Sequence, residues 1–181
     1  MKFKTMKAFV LALFSFVVFS SCKKEASELP PATQTGANTF GAMVDGKIWV
    51  PQGFAGIPAS NILNARYLGT TLFLKAQNFS SSPNETEFDI TVVNLTATGT
   101  YLLNVSTAHP NYNNSYGYYV KRNLSPINEW ITSVNHTGSV TITKFDTTNH
   151  IISGNFQFSA EEILNPASVI TVSDGRFDVK Y

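Results

Sequence analysis

Three histidines, His109, His136 and His150, are the side chains in this chain best suited to proton transfer or metal binding, but their spacing supports neither. They stand 27 and 14 residues apart with no HxH or HExxH pattern, so a metal site would need the fold to bring them together with carboxylates. Glu161 and Glu162 are neighbours and splay apart on any regular element, which makes them a poor acid and base pair. Asp174 and Asp178 flank Arg176, a pattern that suits a local ion pair or a capped bulge. No GxSxG elbow and no phosphate-cradling glycine loop occurs. The expectation is a protein without a catalytic residue, metal or cofactor, with an envelope hydrolase whose site is assembled from distant loops as the lesser alternative.

Recognition is the chemistry that remains. Residues 109–119 (HPNYNNSYGYY) pack Tyr112, Tyr116, Tyr118 and Tyr119 among Asn111, Asn113 and Asn114. Tyrosine supplies rigid amphipathic contact area and asparagine both donates and accepts, a mixture suited to binding a sugar or a protein. Tyr112, Asn113, Asn114 and Tyr116 are therefore the candidate contact residues, with Trp130 and Trp49 as possible stacking platforms. The competing reading puts Tyr116 and Tyr118 in the core, leaves the asparagines to make a turn, and makes both tryptophans core residues. A third reading uses the 13% aromatic content to line a barrel that carries a small apolar ligand.

Cys22, the only cysteine, has a different chemistry. Lys2, Lys4 and Lys7 precede an apolar run, Ala8 to Phe19, that is too short to span a bilayer. Ser20 and Ser21 then place small side chains before Cys22. The pattern resembles a bacterial lipobox, which implies cleavage after residue 21 and a lipid on the Cys22 thiol. The lipid also accounts for a single unpaired cysteine in an exported protein. The mature chain has 160 residues with ten basic against twelve acidic side chains, a net charge of −2 that argues against nucleic acid.

Residues 22–39 carry paired lysines, a Pro-Pro step, Gly, Ser and Thr but few apolar groups, so they read as a disordered tether. Residues 40–181 are long enough for one domain. Their apolar residues recur with period two: Phe88, Ile90 and Val92; Leu68, Leu72, Leu74 and Ala76; Val140 and Ile142; Phe156 and Phe158. Asp45-Gly46 reads as a two-residue hairpin, with Phe40, Ala42 and Trp49 on one face and Met43, Ile48 and Val50 on the other, both faces covered. Apolar positions switch from even (Ile170, Val172) to odd (Phe177, Val179, Tyr181), so one residue must slip between them. A bulge at Asp174-Gly175, with Gly175 taking positive φ, provides the slip and turns Arg176, Asp178 and Lys180 to water. Only Ala160 to Leu164 suggests a helical turn. About nine or ten strands follow, an all-β antiparallel sandwich or flattened barrel.

Residues 43–49 (MVDGKIW), 138–146 (GSVTITKFD) with 152–158 (ISGNFQF), and 174–179 (DGRFDV) together resemble a family of uncharacterised Bacteroidota lipoproteins that pair a lipobox with a β-rich domain of unknown function. The resemblance implies a lipid-anchored envelope protein and brings no site residues with it. Lys23 and Lys24 stand where surface-displayed lipoproteins of that phylum carry acids, which favours the periplasmic face of the outer membrane. Asp146-Thr147-Thr148 resembles the short acceptor pattern for protein O-glycosylation in the same phylum, with Thr147 as acceptor at a hairpin tip, or else it is a plain Asx turn.

Overall fold

A computed structural model describes residues 26–54, 61–81, 83–123 and 127–181; the signal segment and Cys22 lie outside them. The described residues contain eleven strands and no helix: β1 (Thr39–Val44), β2 (Lys47–Trp49), β3 (Leu63–Leu68), β4 (Thr71–Asn78), β5 (Thr86–Val92), β6 (Gly99–Leu103), β7 (Tyr116–Lys121), β8 (Asn128–Ile131), β9 (Gly138–Asp146), β10 (Ile151–Glu162) and β11 (Val169–Lys180). The order is β2-β1-β11-β10-β8-β7-β5-β4-β3, every pair antiparallel, and the sheet curls into a half-barrel. This bears out the all-β antiparallel expectation, with one or two strands more than the sequence suggested.

β10 holds the two halves together. Its first part, from Ile151 to Phe158, pairs with β9, and its last two residues pair with β8 at Ile131 and Trp130. β9 in turn pairs with β6. The expected helical turn at Ala160–Leu164 is therefore absent, because Glu161 and Glu162 are taken up by ladder bonds.

The period-two faces meet inside the curl. Phe40, Phe88 and Phe156 pack with centroids 5.1–6.2 Å apart, and Trp49 meets Phe88 edge-on at 4.7 Å. The Trp49 indole N–H donates to Thr86 Oγ1 at 2.7 Å, so its one polar atom is satisfied inside the core. Leu72, Leu74 and Ala76 are buried, but Leu68 is not. The Gly69-Thr70 turn ends β3 after Leu68, whose partner is Thr71, on the face opposite Leu72.

Asp45 and Gly46 have φ of 48° and 75°, the positive pair that a type I′ turn requires. Phe40, Ala42 and Trp49 face the core as expected, whereas on the other face Ile48 is exposed and Met43 and Val50 are part-buried, so that face is only partly covered. The extra residue in β11 is centred on Asp174: against β10 the register slips across Ser173-Asp174, and against β1 across Asp174-Gly175, the expected place. Asp174, not Gly175, takes the positive φ, 51°. Gly175 serves a different need: a Cβ there would lie 2.5 Å from the Phe156 ring and carbonyl.

Beyond the bulge Asp178 does not face water. It is 1% exposed and accepts from Thr33 Oγ1 (2.6 Å), Ser153 Oγ (2.7 Å) and the amides of Gly36 (2.8 Å), Thr35 (2.9 Å) and Ala37 (3.1 Å). Arg176 reaches backbone oxygens of Asp174 and Pro30, and forms no ion pair with either flanking aspartate. The tether expectation is thereby shortened: residues 26–38 form no strand or helix, but those from Thr33 onward are fastened to the barrel.

Candidate functional site

On the outer face of the curl, cross-strand register lines up side chains in rows. Arg66, Phe73, Thr91 and Tyr116 are successive partners across β3, β4, β5 and β7, and Asn64, Lys75, Asp89 and Tyr118 form the next row. Strand alternation dictates this arrangement, since the neighbours Leu72, Leu74, Phe88 and Ile90 fill the core on the other side.

The connection from β6 to β7 folds over this face. His109 stacks on Tyr118 with centroids 3.6 Å apart and planes 4° from parallel, and His109 Nε2 lies 2.8 Å from Asp89 Oδ2. Beneath it Tyr116, Tyr118, Val120 and Ile131 form a second buried cluster. Burial, then the hydrogen bond from the Tyr118 hydroxyl to the Glu129 carboxylate, pushes the Tyr118 pKa well above its ordinary value. Burial likewise raises Tyr116, opposed by hydrogen bonds from Thr91 and the Asn111 amide. Both tyrosines remain neutral, hydrogen-bonded parts of the structure.

Between the overhanging connection and β3–β5 lies a groove of about 500 Å³. Tyr112 stands at its edge, 67% exposed and edge-on to Phe73 at 5.7 Å. Arg66 is exposed at the mouth and has no ion-pair partner among the described residues. Asp89, His109, Thr91 and Asn64 supply further polar groups. Lys75 is committed to Glu87 at 2.7 Å, and Gln77 holds the other oxygen of the same buried carboxylate.

The structure thus divides the sequence-derived candidates. Tyr112 reaches the groove. Asn113 and Asn114 donate their amides to Asn111 Oδ1 at 2.7 and 3.0 Å, an Asx turn that sets the Tyr112 backbone. Tyr116 lines the groove from below but is only 2% exposed, so its ring is floor and not contact surface. Trp130 is on the opposite face: paired with Tyr119, it packs in the main core with its indole N–H on Ser168 Oγ at 3.2 Å. One step of strand register separates Tyr118 from Tyr119 and places Trp130 with the core. Thr147 is exposed in the β9–β10 turn, where Asp146 Oδ1 accepts from the amides of Thr148 and Asn149.

Sequence reasoning missed Arg66, Phe73 and Asp89; it placed His109 at the head of the candidate segment without giving it a contact role. Phe73 was the available signal, an aromatic on the polar phase of an alternating strand. The histidines do not converge, since His136 sits 3.5 Å from Glu161 and His150 packs on Tyr181. Glu161 and Glu162 splay apart, the latter accepting from Asn128.

No curated protein and no solved structure matches the chain. Residues 65–178, well over half of the chain and the span that builds both walls of the groove, match a family described as a domain of unknown function, and the chain belongs to that family, DUF6252.

Proposed function

We propose that this protein is a lipid-anchored, non-enzymatic binding module of the bacterial cell envelope whose outer-face groove takes a glycan. The observation that carries the reading is the pairing of an exposed aromatic edge, Tyr112 on Phe73, with the unpaired Arg66 and the Asp89–His109 pair in one groove. A sugar ring presents an apolar C–H face to aromatic groups and hydroxyls to such polar ones, which is how a few placed polar groups orient a ligand in a largely apolar cleft. His109 is held by Asp89 and covered by Tyr118, which suits a fixed contact. The carrier reading draws no comparable support, because the aromatic residues of the interior pack on one another.

The lipid on Cys22, the outer membrane and its periplasmic face, and the Bacteroidota origin belong to the same proposal, supported by the lipobox pattern and by Lys23 and Lys24. So does O-glycosylation at Thr147, supported by its exposure in the turn. A hexose mass increment on the native peptide that spans Thr147 is the expected finding, and an unmodified peptide discards that assignment.

The groove is tested by a thermal-shift screen of the mature chain, carrying Cys22→Ser, against envelope glycans. A ligand at about 100 times its Kd adds roughly 2.7 kcal/mol, which raises the midpoint by about 5–10 °C in a domain of this size. Tyr112→Ala and Arg66→Ala should each abolish most of the shift without lowering the unliganded midpoint. A shift that survives both substitutions, or no shift with any glycan, defeats the glycan reading and leaves an envelope protein as the partner to seek by crosslinking.

A further inference from the structure

Five connections meet at one end of the half-barrel, β1–β2, β2–β3, β4–β5, β7–β8 and β10–β11. Asp45 in the β1–β2 turn bonds Thr171 at the start of β11, and Glu162 bonds Ser168 across the β10–β11 connection. Ile163 bonds Glu129 of β8, Arg122 bonds Glu85 before β5, and Phe79 after β4 bonds Gln52. These contacts close a ring of neighbours around a single rim.

The rim exposes apolar side chains that no described residue covers. Leu164 is 84% exposed, and Ile163, Val169, Ile127 and Ile48 are also exposed. The β10–β11 connection that presents two of them is not a loose tip. It is closed by Asn165 N to Glu162 O at 3.2 Å, Ser168 N to Asn165 O at 2.8 Å and Glu162 N to Ser168 O at 2.8 Å. A turn held this firmly with Ile and Leu pointing outward keeps them in water at a cost, unless something else covers them.

The chain enters the described structure at the same rim. Ala26 lines a surface cavity together with Gly46, Lys47 and Ile48, and the segment then runs along the barrel to Pro30 against Gly41 and to Gly36 at Asp178. Only Lys23, Lys24 and Glu25 separate Ala26 from Cys22, so a lipid on that thiol lies within about 14 Å of Ala26 even at full extension. Other exposed apolar residues, Leu68, Leu102 and Val134, lie on β3, β6 and the β8–β9 connection, Leu68 beside the β3–β4 turn. The β9–β10 turn with Thr147 is at the other end of β11, about 35 Å away at strand rise.

We infer that this rim docks on the bilayer that holds the Cys22 lipid, with Ile163, Leu164 and Val169 entering the interface between headgroups and acyl chains. The inference rests on the lipidation reading. A lipid on the N-terminal residue holds the chain at the bilayer but leaves its orientation free, and a second apolar contact on the domain fixes that orientation. Docked this way, the barrel stands on its β10–β11 end, and the binding groove, which lies toward the β3–β4 turn, opens away from the lipid.

The test uses the full mature lipoprotein, purified from membranes and reconstituted in phosphatidylethanolamine–phosphatidylglycerol vesicles. Because Cys22 would be blocked by lipid, Leu164→Cys and Thr148→Cys each offer one thiol for a fluorophore. A headgroup-proximal doxyl lipid should quench the label at 164 severalfold more than the label at 148, and aqueous iodide should show the reverse. Equal lipid quenching at both positions, with the protein floating with the vesicles, overturns the docking and leaves the anchor intact. A label at 164 shielded from iodide but not quenched by lipid overturns it in favour of a protein on the rim. A protein that does not float, with an unmodified Cys22 peptide by mass, overturns the anchor and the docking together.

Discussion

Asp178 shows how much one side chain can decide. Its burial raises its pKa, but the hydrogen bonds from Thr33, Ser153 and the amides of Ala37 and Thr35 lower it more, and the net effect holds the carboxyl well below the usual range. An unfolded aspartate titrates near 3.9, so the folded state binds this proton less readily than the unfolded one. Its contribution is therefore complete above about pH 4 and fades as the pH falls below that value toward the depressed folded pKa. Asp178→Asn should cost about 3 kcal/mol at pH 7, since one amide cannot accept what two charged oxygens accept. In thermal melts the variant should lie roughly 6–12 °C below the parent at pH 7, and the gap should narrow between pH 4 and pH 2.5. A gap that is constant with pH would show that the charge is not what the Thr33–Ala37 segment binds.

The β11 bulge is the element on which most of the fold's register depends. Both ladders slip around Asp174, β10 across Ser173-Asp174 and β1 across Asp174-Gly175, so one bulge serves two ladders at once. It lets Ile170 and Val172 share the core with Phe177 and Val179, which an unbroken strand could not do. Gly175→Ala forces a Cβ to 2.5 Å from the Phe156 ring and carbonyl, and the carbonyl is held in the β10 ladder. The substitution should destabilise the domain by about 2–3 kcal/mol, read as a lower denaturant midpoint with an unchanged slope. A neutral result would mean that Phe156 moves aside, and would demote the close approach from requirement to coincidence. The β6–β7 connection is the second decisive element. It is coil, yet it covers the outer face and supplies His109, Pro110 and Tyr112 to the groove.

At the scale of the whole molecule, the family match begins at Ala65, but the structural unit begins earlier. β1 lies between β2 and β11, Phe40 and Trp49 are core residues, and the segment from Thr33 clasps Asp178. The turn pair at Asp45-Gly46, the slip in β11 and the apolar faces of β4, β5, β9 and β10 were legible in the sequence, because alternation and turn chemistry are properties of a few consecutive residues. The burial of Asp178 was not, because the Thr33–Ala37 segment that covers it stands more than 140 residues away, and on β11 it reads as one more polar residue in alternation. Nor was the division of Tyr112 from Tyr116 and Trp130 legible, because which face of a strand is covered depends on what packs against it. The groove itself, with Arg66, Phe73, Asp89 and His109 drawn from β3, β4, β5 and a distant connection, exists only through strand order and register. The sequence alone determined an all-β chain with its turns and apolar faces, since those are local steric and solvation preferences; the tertiary structure alone decided which polar groups meet and which are buried, since that depends on pairing between segments far apart in the chain.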